Sequence, residues 1–329
     1  HKPDRRQRQM CIRDSFIIPI LFIFLVSCSN SEDFDIPKIS KLEKLEEHSN
    51  QFIKGIYSYD NGIHVAIGFG IANSIMVEGE GGNIIIDTTD DVSQAKEVLS
   101  EFQKINQNPI KAIIYTHNHG DHVFGASEFY NAQEEKPLVI AHSTTAEKVE
   151  KILGIINPII TLRSGKMFGT NLDDNELINV GLGPYLSAGR SSPGYIAPTM
   201  TFEKELKLEI AGHKVELYHA PGETDDQLFV WFPELSALMP GDNFYTTFPN
   251  LYTIRGTSHR DVIGWVNSID KMRSLDPQYL FPSHTMPVEG EEISNALIIY
   301  RDGMQYVHDQ TVRLMNKGLT PDEIVEELD

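Results

Sequence analysis

The sequence predicts an α/β fold in which two sheets pack face to face with helices on the outside. Three observations lead to it. From Phe52 to Asp87, four short runs alternate apolar and polar residues and are separated by "DNG" and "GEGG" turns, the pattern of an antiparallel β-meander. Helix-period and strand-period segments then alternate through residue 156. The second half of the chain repeats this order in outline, and two β-rich halves, each followed by helices, are most simply buried as two facing sheets with helical outer layers. At 329 residues, 40% of them apolar, the chain can bury one large core and carry an accessory piece besides.

The beginning reads in three layers. "HKPDRRQRQMCIRDS" is charged and fits no fold, and its "RRQRQMCIRDS" resembles adapter-derived sequence at the ends of translated reads, so it is set aside as an artefact. "FIIPILFIFLV" follows, shorter than the roughly 20 residues a membrane-crossing helix needs but of the length of a signal-peptide core. It runs into "LVSC", which resembles a bacterial lipobox with Cys28 as the acylated residue. Residues 1–28 are therefore read as an artefact plus a lipoprotein signal peptide. Residues 29–50 are read as a polar tether with a short helix.

In the globular part, the four strand runs are "FIKGIYSY", "IHVAIGFG", "NSIMVEGE" and "GNIIIDTT", and "VSQAKEVLSEFQKI" carries apolar residues at helical spacing. The strand "IKAIIYT", a helix start at "DHVFGASEFY", the strand "PLVIAHS" and the Ser/Thr-capped helix "TTAEKVEKILGII" come next. Residues 157–198 are rich in Gly, Pro and Ser with little periodicity, and a loop of that length inside a domain is expected to act as a lid or substrate wall. The second half supplies strands in "TFEKELKLEIAG", "HKVELYHAPG", "QLFVWFPE" and "SALMPGDN", the helix "RDVIGWVNSIDKMRSL", and the strand "YLFPSHT". After residue 288 the pattern is helical, with "TPDE" marking a helix start.

Charge and cysteine usage exclude several function classes. Lys+Arg number 28 against 47 Asp+Glu, a formal net charge of -19, so nucleic-acid phosphate would be repelled and an anionic ligand needs a local cationic centre. The only cysteines, Cys11 and Cys28, precede the globular part, which therefore has neither a disulfide framework nor a cysteine zinc site.

The chemistry concentrates in "THNHGDHVFG", residues 116–125, behind the apolar "KAIIY". His117 and His119 leave the strand end on one side, Gly120 allows a tight turn, and Asp121 and His122 occupy the first turn of the next helix and face back. Neutral imidazole and carboxylate suit zinc, and four such donors from one loop divide more naturally between two ions than around one.

This HxHxDH pattern after a hydrophobic strand resembles the metallo-β-lactamase superfamily, which implies an αββα sandwich (metallo-β-lactamase fold) with a two-metal site between the sheets. "HAPGETDDQ" resembles the superfamily's "PGHT" segment with Glu223 in place of histidine, "MPGDN" places Asp242 at the bridging-carboxylate position, and "FPSH" places His284 at the last histidine. The resemblance implies one metal on His117, His119 and Glu223 and a second on Asp121, His122 and His284, with Asp242 between them. Taken locally, Glu223 also reads as a turn residue with Asp225 or Asp226 as substitutes, Asp242 as a turn former and His284 as a strand-end histidine.

Glutamate at 223 resembles the alkylsulfatase (type III sulfatase) branch, and "GLGPYLSAG", "IAPT", "FPNLYTIRGTSHRDVIGW" and "YRDGMQYVHDQTVRLMNKGLTPDEI" resemble it too. That likeness implies a catalytic domain over 51–288 and, over 289–329, the start of an all-α dimerisation domain, truncated here. It also implies a homodimer in the full-length protein. Two departures stand out: Asp242 occupies a position where that branch commonly has glutamate, and most of the later domains are missing.

The implied activity is a di-zinc hydrolase, other divalent metals suiting the same donors, that cleaves alkyl sulfate esters to alcohol and sulfate. The ions, about 3.5–4 Å apart, would share a water ionised to hydroxide near neutrality, the nucleophile. Asp121 then counts among the catalytic residues, Arg255 is the choice for the sulfate clamp, and His259, Tyr185 and Arg260 are further wall candidates. "IINPII", Met167, Phe168, Phe244 and Phe248 read either as an alkyl groove or as core. Competing readings are a β-lactam, lactone or thioester hydrolase on the same metal pair, and a non-catalytic envelope binding protein. A redox di-iron centre fits less well, because His119 stands where such relatives carry a carboxylate. The lipobox implies attachment to the bacterial cell envelope through Cys28.

Overall fold

A computed structural model describes residues 41–173, 176–186 and 193–328. Cys11, Cys28, the signal-peptide and lipobox readings and the end of "GLGPYLSAG" lie outside the described residues. The first sheet has seven strands in sequence order: β1 Gly55–Ser58, β2 Ile63–Ile67, β3 Ser74–Gly79, β4 Gly82–Ile86, β5 Ile110–Ile114, β6 Leu138–His142 and β7 Met200–Phe202. The first four pair antiparallel, as the meander predicts, and β4 to β7 pair parallel. The second sheet is built from β8 Glu205–Ile210, β9 His213–His219, β10 Leu228–Phe232, β11 Ala237–Met239, β12 Tyr279–Leu280 and β13 Val288–Glu289.

The strands are apolar on both faces because both faces are covered. Ile84, Ile86, Ala112, Ile114, Leu228, Val230 and Phe232 point between the sheets and form one core. Their neighbours Ile85 and Ile113 point the other way, onto Val98, Phe102 and Phe129 of the helical layer. That layer contains α2 Val92–Ile105, the short α3 Gly120–Val123, α4 Ala126–Asn131 and α5 Thr145–Glu150, α1 being Lys41–His48. Phe229, Trp231 and Leu238 pack outward on the far side against Trp265, Ile269 and Met272. The result is the αββα sandwich.

Several expectations are corrected in detail. The Gly/Pro/Ser-rich stretch after residue 156 is not all loop: α6 spans Asn157–Met167 and starts with Pro158, whose missing N–H costs nothing in a first turn. It follows a single π-helical turn, Lys151–Ile155. The expected cap on the preceding helix is also missing, since Thr144 makes no side-chain cap hydrogen bond. The short helix read within the tether is present at Lys41–His48, and it is anchored: the Asn179 amide donates to Leu45 O at 2.8 Å, and His48 Nε2 meets Gly181 O at 2.8 Å.

The helix assigned by sequence to a separate domain, α8 Glu292–Asn316, lays Ile293, Leu297, Tyr300 and Met304 on α7 Val262–Arg273 and completes the fourth layer. α9 Pro321–Glu327 opens with a capping box between Thr320 and Glu323, as "TPDE" predicts. Among the described residues, no helix is long and apolar enough to cross a membrane.

Candidate metal centre

The centre lies where the loops leaving the strand ends of the two sheets meet. β5 ends at Ile114, and the buried Tyr115 and Thr116 lead to His117, which is fully buried. α3 then begins at Gly120 and carries Asp121 and His122 in its only turn. Gly120 is needed for room rather than for backbone turning, because a Cβ there would sit 2.4 Å from the Phe124 ring. Gly241, before Asp242, has φ +59° and leaves no space beside Gln227 and Thr116, so both conformation and packing require glycine.

The donor atoms converge. His117 Nε2 and His119 Nδ1 are 2.9 Å apart, and Asp242 Oδ2 lies 3.6 Å from the former. His122 Nε2 and His284 Nε2 lie 3.4 and 3.5 Å from Asp121 Oδ2. The same two nitrogens are 3.4 and 3.2 Å from Asp242 Oδ2. His117, His119 and Asp242 form one group able to hold an ion, and Asp121, His122 and His284 form another. Asp242 Oδ2 thus lies within 3.6 Å of imidazole nitrogens of both groups.

Glu223 is brought to the edge of the first group, its Oε1 being 3.9 Å from His119 Nδ1. That oxygen is bonded by the Arg260 guanidinium, while Oε2 is buried without a partner. Asp226 is not its substitute. It is fully buried and receives Asn118, Thr145 and Thr224, a bracing role for the loops. Asp225 is spent on Lys148.

Whether these residues fit metal ions is tested by their polar atoms. His122 Nε2, Glu223 Oε2 and Asp242 Oδ1 are all buried without a hydrogen-bond partner, an expensive condition that ligation would relieve. The outward nitrogens are in contrast occupied: His284 Nδ1 meets Ile71 O at 2.8 Å, and His122 Nδ1 meets Asp87 Oδ2 at 2.7 Å. Such outer contacts fix the ring and leave Nε2 free for a metal. The residue set therefore fits divalent metal.

Electrostatics separates the two groups. Burial, then the neighbouring His122, holds His117 down to about 4. Burial and His117 hold His119 well below the usual imidazole range, so both are neutral donors. Burial also opposes charge on His284 and His122, yet the carboxylates outweigh it: Asp242 and Asp121 raise His284 to about 9 and lift His122 well above its ordinary value. Burial raises Glu223 to about 7 in spite of Arg260.

Asp87 is the residue that sequence reasoning missed. It follows the apolar run of β4 at φ +56° and is fully buried. Its carboxylate accepts from Thr116 N at 2.9 Å, Thr116 Oγ1 at 2.8 Å and Ser283 Oγ at 2.7 Å as well as facing His122. A carboxylate at a strand end with left-handed backbone is the only local signal it gives. Asp87→Ala should weaken metal binding roughly 10–100-fold, as removal of an outer partner of a ligating histidine does. Competition with a chromophoric chelator measures it, and unchanged affinity would contradict the bracing role.

A cleft of about 500 Å³ opens over the donors. Arg255 lines it, with Nη2 3.4 Å from His119 Nε2 and Nη1 3.6 Å from Met167 Sδ. Among the described residues, no carboxylate comes within 4.0 Å of its guanidinium, so the fork makes no ion pair with any of them. His259 is exposed at the cleft rim. Tyr185 is a correction: its hydroxyl donates to Phe69 O at 3.2 Å, and Leu182 and Leu186 of that segment line the cleft instead.

Of the groove candidates, Ile156, Ile160, Met167 and Phe168 line the cleft. Phe244 is core, packed on Tyr300, and Phe248 is exposed beside Gly303.

Residues 67–284 match the family described as the metallo-beta-lactamase superfamily. A linear primary-alkylsulfatase of a Pseudomonas strain is 42% identical over 260 residues, covering 77% of this chain and 49% of the relative. A second Pseudomonas linear primary-alkylsulfatase is 29% identical over 293 residues, covering 84% and 42%. The chain spans about half the length of these relatives. Among solved structures, the stereoselective inverting sec-alkylsulfatase Pisa1 from Pseudomonas sp. superposes with a TM-score of 0.80 at 24% identity over 88% of this chain and 47% of the other, a likeness of fold.

Proposed function

The chain belongs to the metallo-beta-lactamase superfamily, and from that premise we propose that it is a metal-dependent hydrolase that cleaves alkyl sulfate esters to alcohol and sulfate. The observation that carries this reading is one cleft joining three features: the donor cluster, an arginine without an ion pair among the described residues, and an apolar arm. His117, His119 and Glu223 would hold one zinc ion and Asp121, His122 and His284 the other, with Asp242 between. When bound, such a pair supplies Lewis acidity and lowers the pKa of water enough to provide a hydroxide nucleophile near neutral pH.

The chain's own side chains do the rest. Arg255 presents a planar pair of donors to the sulfate oxygens beside His119, and among the described residues no carboxylate pairs with it directly. Ile156, Ile160, Met167 and Phe168 exclude water along the path an alkyl chain would take. The alkylsulfatase relatives support the substrate class, and the 42% identity over 260 residues supports it most. Membrane attachment through Cys28 in the bacterial envelope, and a homodimer in the full-length protein, belong to the same proposal.

The test is to assay a medium-chain alkyl sulfate beside a cephalosporin and a lactone, before and after chelation. Sulfate release that chelation abolishes is the expected result. Lactam or lactone opening without sulfate release would replace the substrate assignment, and two bound metals with no turnover of any of them would favour a binding protein.

A further inference from the structure

The mouth of the cleft differs in composition from the rest of this acidic chain. Its rim is made by residues 151–172, which include α6, and by the loop 244–260. Apart from Arg260, which is buried on Glu223, these segments hold four Lys or Arg residues and no Asp or Glu, whereas the whole chain has 28 against 47. The two segments touch, since a Cβ on Gly256 would lie 2.8 Å from Arg163 Nη1.

The same rim exposes large apolar side chains that the core rule would bury. α6 is apolar on two faces: Ile160 and Met167 look into the cleft, while Ile159 and Leu162 face solvent. Ile155, at the π-helical turn, is 82% exposed, and across the mouth Ile254 is 70% exposed. Lys151, Arg163 and Lys166 are exposed among them. An apolar stripe flanked by basic residues is the arrangement by which a helix lies in the surface of an amphiphile layer whose headgroups are anionic.

We propose that this rim is a docking surface for micelles of the alkyl sulfate itself, so that substrate passes from the aggregate into the cleft without crossing bulk water. The proposal rests on the alkyl sulfate reading of the cleft. Charge complementarity selects the occupant: the two rim segments carry exposed basic residues and no carboxylate, while of the exposed carboxylates that line the cleft nearby, Glu147 and Asp225, the second is paired with Lys148. Ile155, Ile159 and Leu162 would enter the acyl region, and Lys151 and Lys166 would meet sulfate headgroups.

The test is a binding measurement that needs no turnover. The chain's two tryptophans, Trp231 and Trp265, are buried, so an indole introduced by Leu162→Trp reports on the rim. The full chain carrying this substitution is mixed with micelles of a brominated maltoside detergent, with and without decyl sulfonate, an analogue lacking the ester bond.

The expected result is quenching that depends on the sulfonate and partitioning that falls roughly 25-fold in Lys151→Gln/Lys166→Gln, about fivefold per basic residue. Four outcomes would overturn the proposal: no quenching, quenching indifferent to the two lysines, quenching only by vesicles of brominated phosphatidylglycerol, or burial of the indole by self-association without amphiphile. Hydrolysis of monomeric hexyl sulfate is followed separately, so that failure of the ester reading and failure of the docking surface give different results.

Discussion

Arg260→Met should strip one metal from the centre and destabilise the fold together, and it is expected to be among the most damaging single substitutions in the chain. Arg260 is 3% exposed and bonds Glu223 Oε1 and the Asn250 carbonyl, with its guanidinium carbon 6.0 Å from the Trp265 ring centroid. Glu223 itself is 6% exposed. Removing one partner of a buried ion pair leaves the other charge unpaired at a cost of roughly 3–5 kcal/mol.

Glu223 has a way to avoid that cost, and it is damaging in another manner. Burial already raises its pKa to about 7 with Arg260 beside it, so without the arginine it would take up a proton at neutral pH. A protonated carboxyl is a poor ligand, and metal affinity on the His117–His119 side should fall by about 100-fold. Arg260→Lys keeps a charge but cannot serve Asn250 and Glu223 at once, so an intermediate loss is expected.

The informative variant is Glu223→His/Arg260→Met. A neutral imidazole needs no buried cation beside it, so this pair should bind metal better than either single substitution. Metal content after dialysis and urea unfolding midpoints decide the matter. Single and double variants that add independently would show that Arg260 and Glu223 do not act as a unit.

The sandwich was legible because its signals are local. The continuous apolar runs in "GNIIID" and "QLFVWF" follow from sheets covered on both faces, and the HxHxDH cluster lies within six residues. Asp242 and His284 could be placed only through the likeness of "MPGDN" and "FPSH" to superfamily segments, since locally they read as a turn former and a strand-end histidine. What stayed hidden depends on pairings between distant segments. Asp87 is 35 positions from His122, and Arg260 is 37 from Glu223, separations at which sequence spacing says nothing of direction. Tyr185 failed for a related reason: a residue can sit in the right segment and still turn its hydroxyl to Phe69. α6 was hidden because Gly, Pro and Ser weaken helical propensity while the cleft wall it forms needs apolar residues on an irregular face.

The two halves of the centre should load metal in a pH-ordered way. On the first side, His117 and His119 are held neutral by burial, so no proton competes there except that of Glu223, which leaves as pH rises through about 7. On the second side, Asp242 and Asp121 keep His284 charged up to about 9 and hold His122 charged beyond its ordinary range. Those raised values stabilise the metal-free fold fully below about 6.5, the unfolded value, and the contribution is lost as pH climbs through the folded ones. The depressed carboxylates of Asp121 and Asp242 act oppositely, stabilising above about 3.9 and failing only as acid protonates them.

A metal needs the imidazole lone pairs, so the second ion must expel both protons. Its affinity should rise by up to about 100-fold per pH unit between roughly 6.5 and 9, whereas the first gains about tenfold at most. Zinc titrations at pH 6, 7.5 and 9 should therefore show occupancy growing from about one ion to about two. The melting-temperature gap between loaded and metal-free protein should widen over the same window. Equal occupancy of both sides at pH 6 would mean that the carboxylates do not hold His122 and His284 charged, and the electrostatic division of the centre would be wrong.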